Sequence, residues 1–337
     1  MPAARIILRS NLCPGDILML TAAVRDLHLL HPGEFVTDVR TPSPALWDHN
    51  PWVTPLDACR GDVREIDCHY PLINRSNQEP WHFIHGYVQH LGEMLGLRLH
   101  PTAFHGDIHL SPEEQGGRSP VAEMLGAALP YWIIVAGGKP DYTIKWWSTS
   151  RFQEVEDHFR GRLLFVQTGE SHHFHRPLRG VLNLVGKTSL RQFIRLMRHA
   201  DGVLCPVTFA MHLAAAVPRH GSSALRPCVV VAGGREPPHW EAYPGHQFLH
   251  TVGMLPCCAS GGCWKARTVP LFDGNTNDSP ENRCTDVIRR LPHCMDLITP
   301  RLVIEAIDGY LEGGMAGELS ARQAALALPG APAIRFA

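Results

Sequence analysis

Short apolar runs alternate with longer amphipathic stretches along most of the chain. The runs have the length of buried strands, and the stretches between them repeat apolar residues every three or four positions, as helices do. The clearest runs are residues 6–8, 35–39, 132–136, 163–167, 202–205 and 228–232. Strands that alternate with helices in this way predict a doubly wound α/β protein with parallel sheets.

Residues 185–217 form the clearest single unit of this pattern. We predict a helix over residues 190–200, a buried strand at Gly202–Cys205, and a stop at Pro206. Thr208 then caps a second helix. Such a turn directs N–H groups and the positive end of a helix dipole at one place, which suits a phosphate. An ordinary strand–helix unit without a ligand is the alternative.

The pattern divides the chain into two α/β halves. Residues 111–128 are rich in Glu, Gly, Pro and Ala and read as a linker. We therefore predict an N-terminal domain over residues 1–125 and a C-terminal domain over residues 126–312. Residues 256–295 show little periodicity and read as a Cys-rich insertion, and residues 313–337 read as a loosely held tail.

Three secondary-structure elements are predicted in the N-terminal half with defined positions. Asp16 is expected to open a long helix, Pro80 to Leu97 to form another, and Ile108 to Ser111 to form a strand. The two helices are expected because apolar residues recur on one face, and because Pro suits a first helical turn.

Composition narrows the function classes. The chain has 337 residues, 45% of them hydrophobic and 19% charged, with a formal net charge of -1. The chain has no excess of basic residues, so its charge gives no indication of a nucleic-acid partner. No apolar run reaches the ~18 residues that a transmembrane helix needs. No signal peptide is recognised at the N-terminus, so a cytoplasmic location is expected.

Four segments resemble the ADP-heptose glycosyltransferases, which are family 9 of the glycosyltransferases. They are NLCPGDILMLTAAVRDLHLLHP near the N-terminus, DHNPWV at residues 48–53, the block LVGKTSLRQFIRLMRHADGVLC with T-x-x-M-H-L-A-A-A after it, and EPPHWEAY at residues 236–243. The resemblance implies two Rossmann-like domains that face each other across a cleft, the GT-B architecture. It also implies inverting transfer of a heptose from ADP-heptose, without a catalytic metal, to a hydroxyl of a polysaccharide core or of a protein.

The resemblance assigns roles to individual residues. Asp16 matches the general base that activates the acceptor hydroxyl, which is a weak nucleophile until its proton is removed. Helix capping is the alternative role for Asp16, and the two roles are compatible. Lys145 matches a basic residue that neutralises the departing diphosphate, with a solvated surface Lys as the alternative. Thr208, Met211 and His212 match the rest of the block and join the donor-binding set, and for His212 a structural role is an equal alternative. Gly233 and Gly234 join it for a different reason, since they follow a buried strand at the carboxyl edge of the sheet, where open α/β sheets bind ligands. Glu236, on the same loop, completes the set.

The central block departs from the family pattern at two positions. Val207 stands where the family has an acid that contacts sugar hydroxyls, and Phe209 stands where it has Gly. The block therefore supports a nucleotide diphosphate better than it supports heptose. Glu236 or Arg235 is a candidate to replace the missing sugar contact. Two other functions stay open: a GT-B transferase that uses a different nucleotide sugar, and a catalytically idle relative that serves as a binding or assembly module.

Five cysteines are concentrated between residues 257 and 294. Four thiolates close in space bind Zn²⁺ or Fe, and cytosolic Cys clusters favour metals over disulfides. We predict a structural Zn or Fe on Cys258, Cys263, Cys284 and Cys294, with Cys257 as the alternative to Cys258. Autotransporter-modifying heptosyltransferases of the resembled family carry a cysteine-held iron that this cluster resembles in kind but not in spacing. Without a metal, these cysteines would be unliganded thiols or would form disulfides.

Overall fold

The computed structural model describes residues 2–70, 72–73 and 75–313, and the predicted tail, apart from Gly313, lies outside them. The first half contains a parallel sheet of three strands in the order β2-β1-β3, with β1 in the centre. Its strands are β1 (Ala4–Arg9), β2 (Phe35–Arg40) and β3 (Val63–Asp67). Its helices are α1 (Pro14–Leu30), α2 (Phe83–Leu95), α3 (Pro112–Gly116) and α4 (Pro120–Leu125).

The second half contains a parallel sheet of six strands in the order β6-β5-β4-β7-β8-β9. Its strands are β4 (Tyr131–Ile134), β5 (Leu164–Gln167), β6 (Leu182–Asn183), β7 (Gly202–Pro206), β8 (Cys228–Gly233) and β9 (His246–His250). A short antiparallel hairpin follows, made of β10 (Val287–Ile288) and β11 (Leu291–Pro292). The helices are α5 (Thr149–Phe159), α6 (Leu190–His199), α7 (Phe209–Ala216), α8 (Pro238–Glu241), α9 (His293–Asp296) and α10 (Pro300–Leu311).

The predicted α/β class with parallel sheets is confirmed, as is the strand–turn–helix unit of the central block. Strand β7 is buried along its whole length, and the Thr208 hydroxyl accepts the Ala210 N–H at 3.2 Å to cap α7. Val, Leu and Cys fill β7 because a strand covered on both faces needs no alternation of polar residues.

The predicted strand at Ile108–Ser111 is wrong. The residues just before it, 105–107, are held against α1 by polar groups of that helix, and the segment itself pairs with none of the sheet strands that the structure describes. The Asp107 N–H donates to the Thr21 hydroxyl at 2.7 Å, and the Arg25 guanidinium donates to the His105 carbonyl at 2.9 Å. Gly106 packs so closely on Leu18 that an added Cβ would lie 2.8 Å from its side chain.

Both predicted helix starts in the first half are displaced. Helix α1 begins at Pro14 with Cys13 as its N-cap, so Asp16 is its third residue. Helix α2 begins at Phe83, three residues after Pro80, because the His82 ring accepts the Ile84 N–H at 3.1 Å and caps the helix there.

One large apolar core spans both halves of the chain. It joins the buried face of α1, including Met19 and Val24, to α7, including Met211 and Leu213. A second core lies on the other face of the six-stranded sheet, beneath α5 and α10. The cleft between the two sheets is therefore closed at its base by the packing of α1 on α7.

The predicted linker consists largely of α3 and α4, which dock on α6. Arg191 of α6 pairs with Glu114, and Arg195 of α6 pairs with Glu123 at 2.8 Å. The domain limits at residues 125 and 126 remain a prediction, as does the status of residues 256–295 as an insertion. None of the helices within the described residues is long and apolar enough to span a membrane.

Gly202 at the start of β7 tests the packing of the six-stranded sheet. An added Cβ would lie 2.3 Å from the ring of Trp132, which is fully buried. We expect Gly202→Ala to lower the free energy of unfolding by about 1–3 kcal/mol, measured by urea denaturation, because the buried indole has no room to move. Gly116→Ala is the control, since nothing lies within 4 Å of its added Cβ. Equal stability of the Gly202→Ala variant and the wild-type protein would contradict this packing.

Candidate functional site

The candidate base lies where the two halves of the chain meet. Asp16 sits in the first turn of α1, and its carboxylate accepts the Cys13 N–H at 3.0 Å. The capping role weighed for Asp16 is therefore present. Cys13 also lies 3.9 Å from the ammonium of Lys139, which belongs to the second half. The turn before α1 thus faces the loop that follows β4.

The N-termini of α1 and α7 approach each other across His212. An added Cβ on Gly15 would lie 3.3 Å from the His212 ring and 3.8 Å from the Cα of Phe209. Nδ1 of His212 lies 2.6 Å from the Tyr243 hydroxyl, and Nε2 lies 3.4 Å from Oε2 of Glu241. Two positive helix ends directed at one region favour an anion there.

Lys145 is paired within the protein. Its Nζ lies 2.8 Å from Oε1 of Glu236, and the same carboxylate oxygen accepts a hydrogen bond from Arg235. The Arg235 guanidinium also donates to the Lys265 carbonyl at 2.7 Å and lies over the Tyr142 ring. Oε2 of Glu236 is buried and has no hydrogen-bond partner among the described residues. The solvated-Lys alternative does not describe this side chain.

The pKa values of the acidic groups at this junction follow from their burial. Burial raises the pKa of Asp16, although a hydrogen bond from Tyr70 and the charge of Lys145 oppose that rise. Burial also raises the pKa of Glu241 to about 7, against the charges of Lys145 and Arg235. In the opposite sense, burial and the charge of Arg235 lower the pKa of Lys145.

The remaining predicted donor residues occupy different positions. Thr208 caps α7, whereas Met211 is fully buried in the core that joins the two halves. Gly233 and Gly234 lie at the end of β8, but they face the cysteines: added Cβ atoms would lie 2.6 Å from Sδ of Met295 and 3.0 Å from Sγ of Cys258, respectively. Their lack of side chains therefore makes room for this packing.

The structure does not support the predicted metal. Within the described residues, no group of three or more His, Cys, Asp or Glu side chains is arranged to hold an ion. The four predicted ligands Cys258, Cys263, Cys284 and Cys294 are free thiols. The thiols of Cys258 and Cys284 donate instead to backbone carbonyls, for Cys284 at 3.2 Å from Asp286 O. Burial raises the pKa of the Cys294 thiol to about 12.

The Cys-rich segment has a visible contact with the first half. Asn77 donates to the Gly262 carbonyl at 2.9 Å, and its own amide oxygen accepts from the Gly262 N–H and from the Trp264 indole N–H. An added Cβ on Gly261 would lie 2.6 Å from Asn77. The segment therefore holds the irregular chain that precedes α2.

Sequence reasoning missed three residues of this junction: Tyr70, Glu241 and Tyr243. The last two lie in the EPPHWEAY segment that carried the family resemblance, so their position was available from the sequence. Their roles were not, because the contacts of Glu241 and Tyr243 with His212 join segments about thirty residues apart, and that of Tyr70 with Asp16 spans 54.

Residues 105–221 match the model of glycosyltransferase family 9 (heptosyltransferase), which covers the central block but not Asp16. A comparison with curated proteins gives no match.

Solved structures of similar fold cover most of the chain. The family 9 glycosyl transferase of Veillonella parvula DSM 2008 is 14% identical, with a TM-score of 0.62 over 93% of this chain and 99% of that one. The ADP-heptose lipopolysaccharide heptosyltransferase II of E. coli is 14% identical, with a TM-score of 0.55 over 92% and 99%. The iron-containing dodecameric glycosyltransferase TibC of enterotoxigenic E. coli H10407 is 18% identical, with a TM-score of 0.60 over 92% and 76%. TibC has also been solved with ADP-D-beta-D-heptose.

These solved structures agree with the chain in overall fold. The predicted GT-B architecture of two α/β halves is confirmed. The resemblance to the family 9 glycosyltransferases is confirmed as well, in sequence over residues 105–221 and in fold over most of the chain.

Proposed function

We propose that the protein is an inverting glycosyltransferase that transfers a heptose from ADP-heptose to a hydroxyl of a polysaccharide core or of a protein. The observation that carries the proposal is the junction itself: a carboxylate at the N-terminus of α1 faces the N-terminus of α7 and the ammonium of Lys145. The family 9 match and the heptosyltransferase folds support the reaction class. We place the reaction in the cytoplasm, as expected from the sequence.

Asp16 acts as the general base. Its carboxylate takes the proton of the acceptor hydroxyl while that oxygen attacks the anomeric carbon from the face opposite the diphosphate. The bond between the anomeric carbon and the phosphate oxygen breaks, and its electron pair leaves with ADP. Burial makes Asp16 more basic than an exposed carboxylate, whereas the hydrogen bond from Tyr70 and the charge of Lys145 favour its ionised form.

The leaving diphosphate is stabilised from the second half of the chain. The N–H groups at the start of α7 and the ammonium of Lys145 place positive charge on the side of the cleft that faces Asp16. Lys145 pairs with Glu236 and has the charge of Arg235 beside it. A diphosphate that binds Lys145 therefore competes with Glu236 for the same ammonium.

The residues expected to contact the sugar of the donor leave a second candidate function open. Val207 is buried and apolar, and Phe209 packs 6.0 Å from Phe193, measured between ring centroids. Glu236, proposed as the replacement sugar contact, has one oxygen engaged by two cations. Transfer from a different nucleotide sugar is therefore the second candidate, and an idle relative that binds no nucleotide is the third.

An acceptor is proposed to lie on the first half of the chain, in a groove beside α2. A groove of about 670 Å³ runs along α2 and includes Trp81, His85, Gln89 and Arg98. An indole beside polar and cationic side chains suits sugars and polar peptides. This groove continues the irregular segment that Asn77 fixes to the Cys-rich region.

Nucleotide selectivity tests the donor. We expect ADP to raise the thermal denaturation midpoint more than UDP, GDP or CMP does at equal concentration, since a ligand at 100 times its Kd stabilises the folded state by about 2.7 kcal/mol. Lys145→Gln should reduce the ADP effect, and Lys187→Gln, an exposed Lys near the edge strand β6, should leave it unchanged. A larger shift with another nucleotide would favour the second candidate, and no shift with any nucleotide would favour the third.

Replacement of the base separates catalysis from donor binding. Asp16→Asn should lower the transfer rate about a thousandfold, because general base catalysis contributes roughly 10²–10⁴-fold. It should leave the thermal shift with ADP in place. Asp57→Asn, on the exposed surface of the same half, serves as the control with normal turnover. Undiminished transfer by the Asp16→Asn variant would show that another group takes the proton.

The hydrogen bond from Tyr70 sets the acid limb of the pH profile. Tyr70→Phe removes a donor to the ionised carboxylate and so raises the pKa of Asp16 further above its usual range. Because the base must be ionised, we expect transfer to fall about fivefold to tenfold on the acid limb of the pH profile, with a change of less than about twofold on the plateau at higher pH. Tyr87→Phe, whose ring packs 5.4 Å from that of Tyr70, is the matched control. An acid limb that does not move in the Tyr70→Phe variant would exclude this contact as the cause.

A further inference from the structure

A buried acid that has no assigned role lies one imidazole ring away from the start of α1. Glu241 is 4% exposed, and its Oε2 has no hydrogen-bond partner among the described residues. That oxygen lies 3.4 Å from Nε2 of His212, whose ring packs against Gly15, the residue before Asp16. Glu241 therefore contacts the helix junction through His212.

His212 and Tyr243 have two ways to arrange their protons. The Tyr243 hydroxyl lies 2.6 Å from Nδ1 of His212 and 3.1 Å from Sδ of Met19 on α1. When Glu241 is ionised, Nε2–H of a neutral His212 points to the carboxylate and Tyr243 donates to Nδ1. When Glu241 carries a proton, it donates to Nε2, Nδ1–H donates to Tyr243, and the Tyr243 hydroxyl turns to the Met19 sulfur. Both protonation states of Glu241 are therefore accommodated.

The surroundings allow Glu241 to change charge near neutral pH. Burial raises the pKa of Glu241 to about 7 and lowers the pKa of His212 to about 3, so the ring stays neutral and the proton of this pair belongs to Glu241. Lys145 and Arg235 favour the ionised acid, and Asp16 opposes it. The charged and titratable groups that face Glu241 are His212 from α7, Asp16 from α1, Lys145, Arg235, Tyr70, Tyr243 and, at its backbone, His82.

We propose that Glu241 is a positioning residue that takes up one proton when a nucleoside diphosphate binds against Lys145. The inference rests on the proposed function, since it assumes that the diphosphate occupies this end of the cleft. The ligand brings negative charge next to three carboxylates and draws on the ammonium that otherwise balances them. Glu241 becomes neutral, and the hydrogen bond between Nδ1 of His212 and the Tyr243 hydroxyl reverses its direction.

Calorimetry of ADP binding counts the proton. At pH 8, titrations in HEPES, Tricine and Tris buffers report proton uptake through the different ionisation enthalpies of the buffers. We expect the wild-type protein to take up about one proton and the Glu241→Gln variant to lose most of that uptake. Wild-type affinity should fall by up to about tenfold per pH unit above pH 7.5, because one proton is linked to binding. Glu154→Gln, on the exposed face of α5, should behave as the wild type.

The Glu241→Gln variant also mimics the protonated acid. Its amide can donate to Nε2 of His212, so at pH 8.5 we expect it to bind ADP about tenfold more tightly than the wild type does. An equal proton count in the two proteins would overturn the proposal and assign the uptake to another group, such as Lys145. If Glu241 had only a structural role, the Glu241→Gln variant would lose thermal stability but would keep the pH dependence of ADP affinity. The pH dependence therefore distinguishes a structural role from proton uptake.

Infrared spectroscopy tests Glu241 without any nucleotide. The wild-type protein should show a protonated carboxylic acid band that disappears as the pH rises through about 7 and that is missing from Glu241→Gln; absence of the band from the wild type overturns the proposal. If ADP does not bind but another nucleoside diphosphate does, only the choice of adenine as the base of the donor is contradicted. The proton uptake is then measured with the nucleotide that binds. Failure of every nucleoside diphosphate to bind contradicts both the donor assignment and the proton uptake.

Discussion

The approach of two helix N-termini across one imidazole ring is the constraint on which the site depends. Helices α1 and α7 come from different halves of the chain, and His212 lies between them in contact with Gly15. Any side chain at Gly15 would press on that ring. The packed apolar faces of the same helices close the base of the cleft, so the core and the site are fixed by the same contact.

Charge at the junction is balanced only in part. Two cations, Lys145 and Arg235, lie among three carboxylates, Asp16, Glu236 and Glu241. Burial makes each unpaired charge costly, which explains why the pKa of each of the acids Asp16 and Glu241 is raised while that of Lys145 is lowered. An anionic ligand adds to the excess of negative charge. A group that accepts a proton, or a carboxylate that withdraws from Lys145, is therefore a physical requirement for tight diphosphate binding here.

Local sequence patterns predicted the central strand and helix well, because β7 is uniformly apolar and Thr208 is a strong cap. They failed for Ile108–Ser111, because a short apolar run cannot reveal that polar groups of α1 hold the preceding residues away from the sheet. Candidate residues recognised by motif, such as Asp16 and Lys145, do lie at the junction. Glu241 was missed because only the fold brings it to His212. The concentration of five cysteines predicted a metal that the structure does not support, since backbone carbonyls accept hydrogen bonds from the thiols of Cys258 and Cys284.

The positions of Glu236 and Glu241 help to explain why Val207 and Phe209 can depart from the family pattern. The first turn of α7 keeps its hydroxyl cap and its N–H groups but carries no carboxylate, since Val207 is buried in the core. Carboxylates enter the junction instead from the segment after β8, through Glu236 and Glu241. Recognition of a diphosphate needs only the helix end and a cation, which are present. Recognition of sugar hydroxyls needs an acid with a free oxygen, and Glu236 keeps its Oε2 free while its Oε1 pairs with Lys145. Donor selectivity therefore depends on the same ion pair that binds the leaving group.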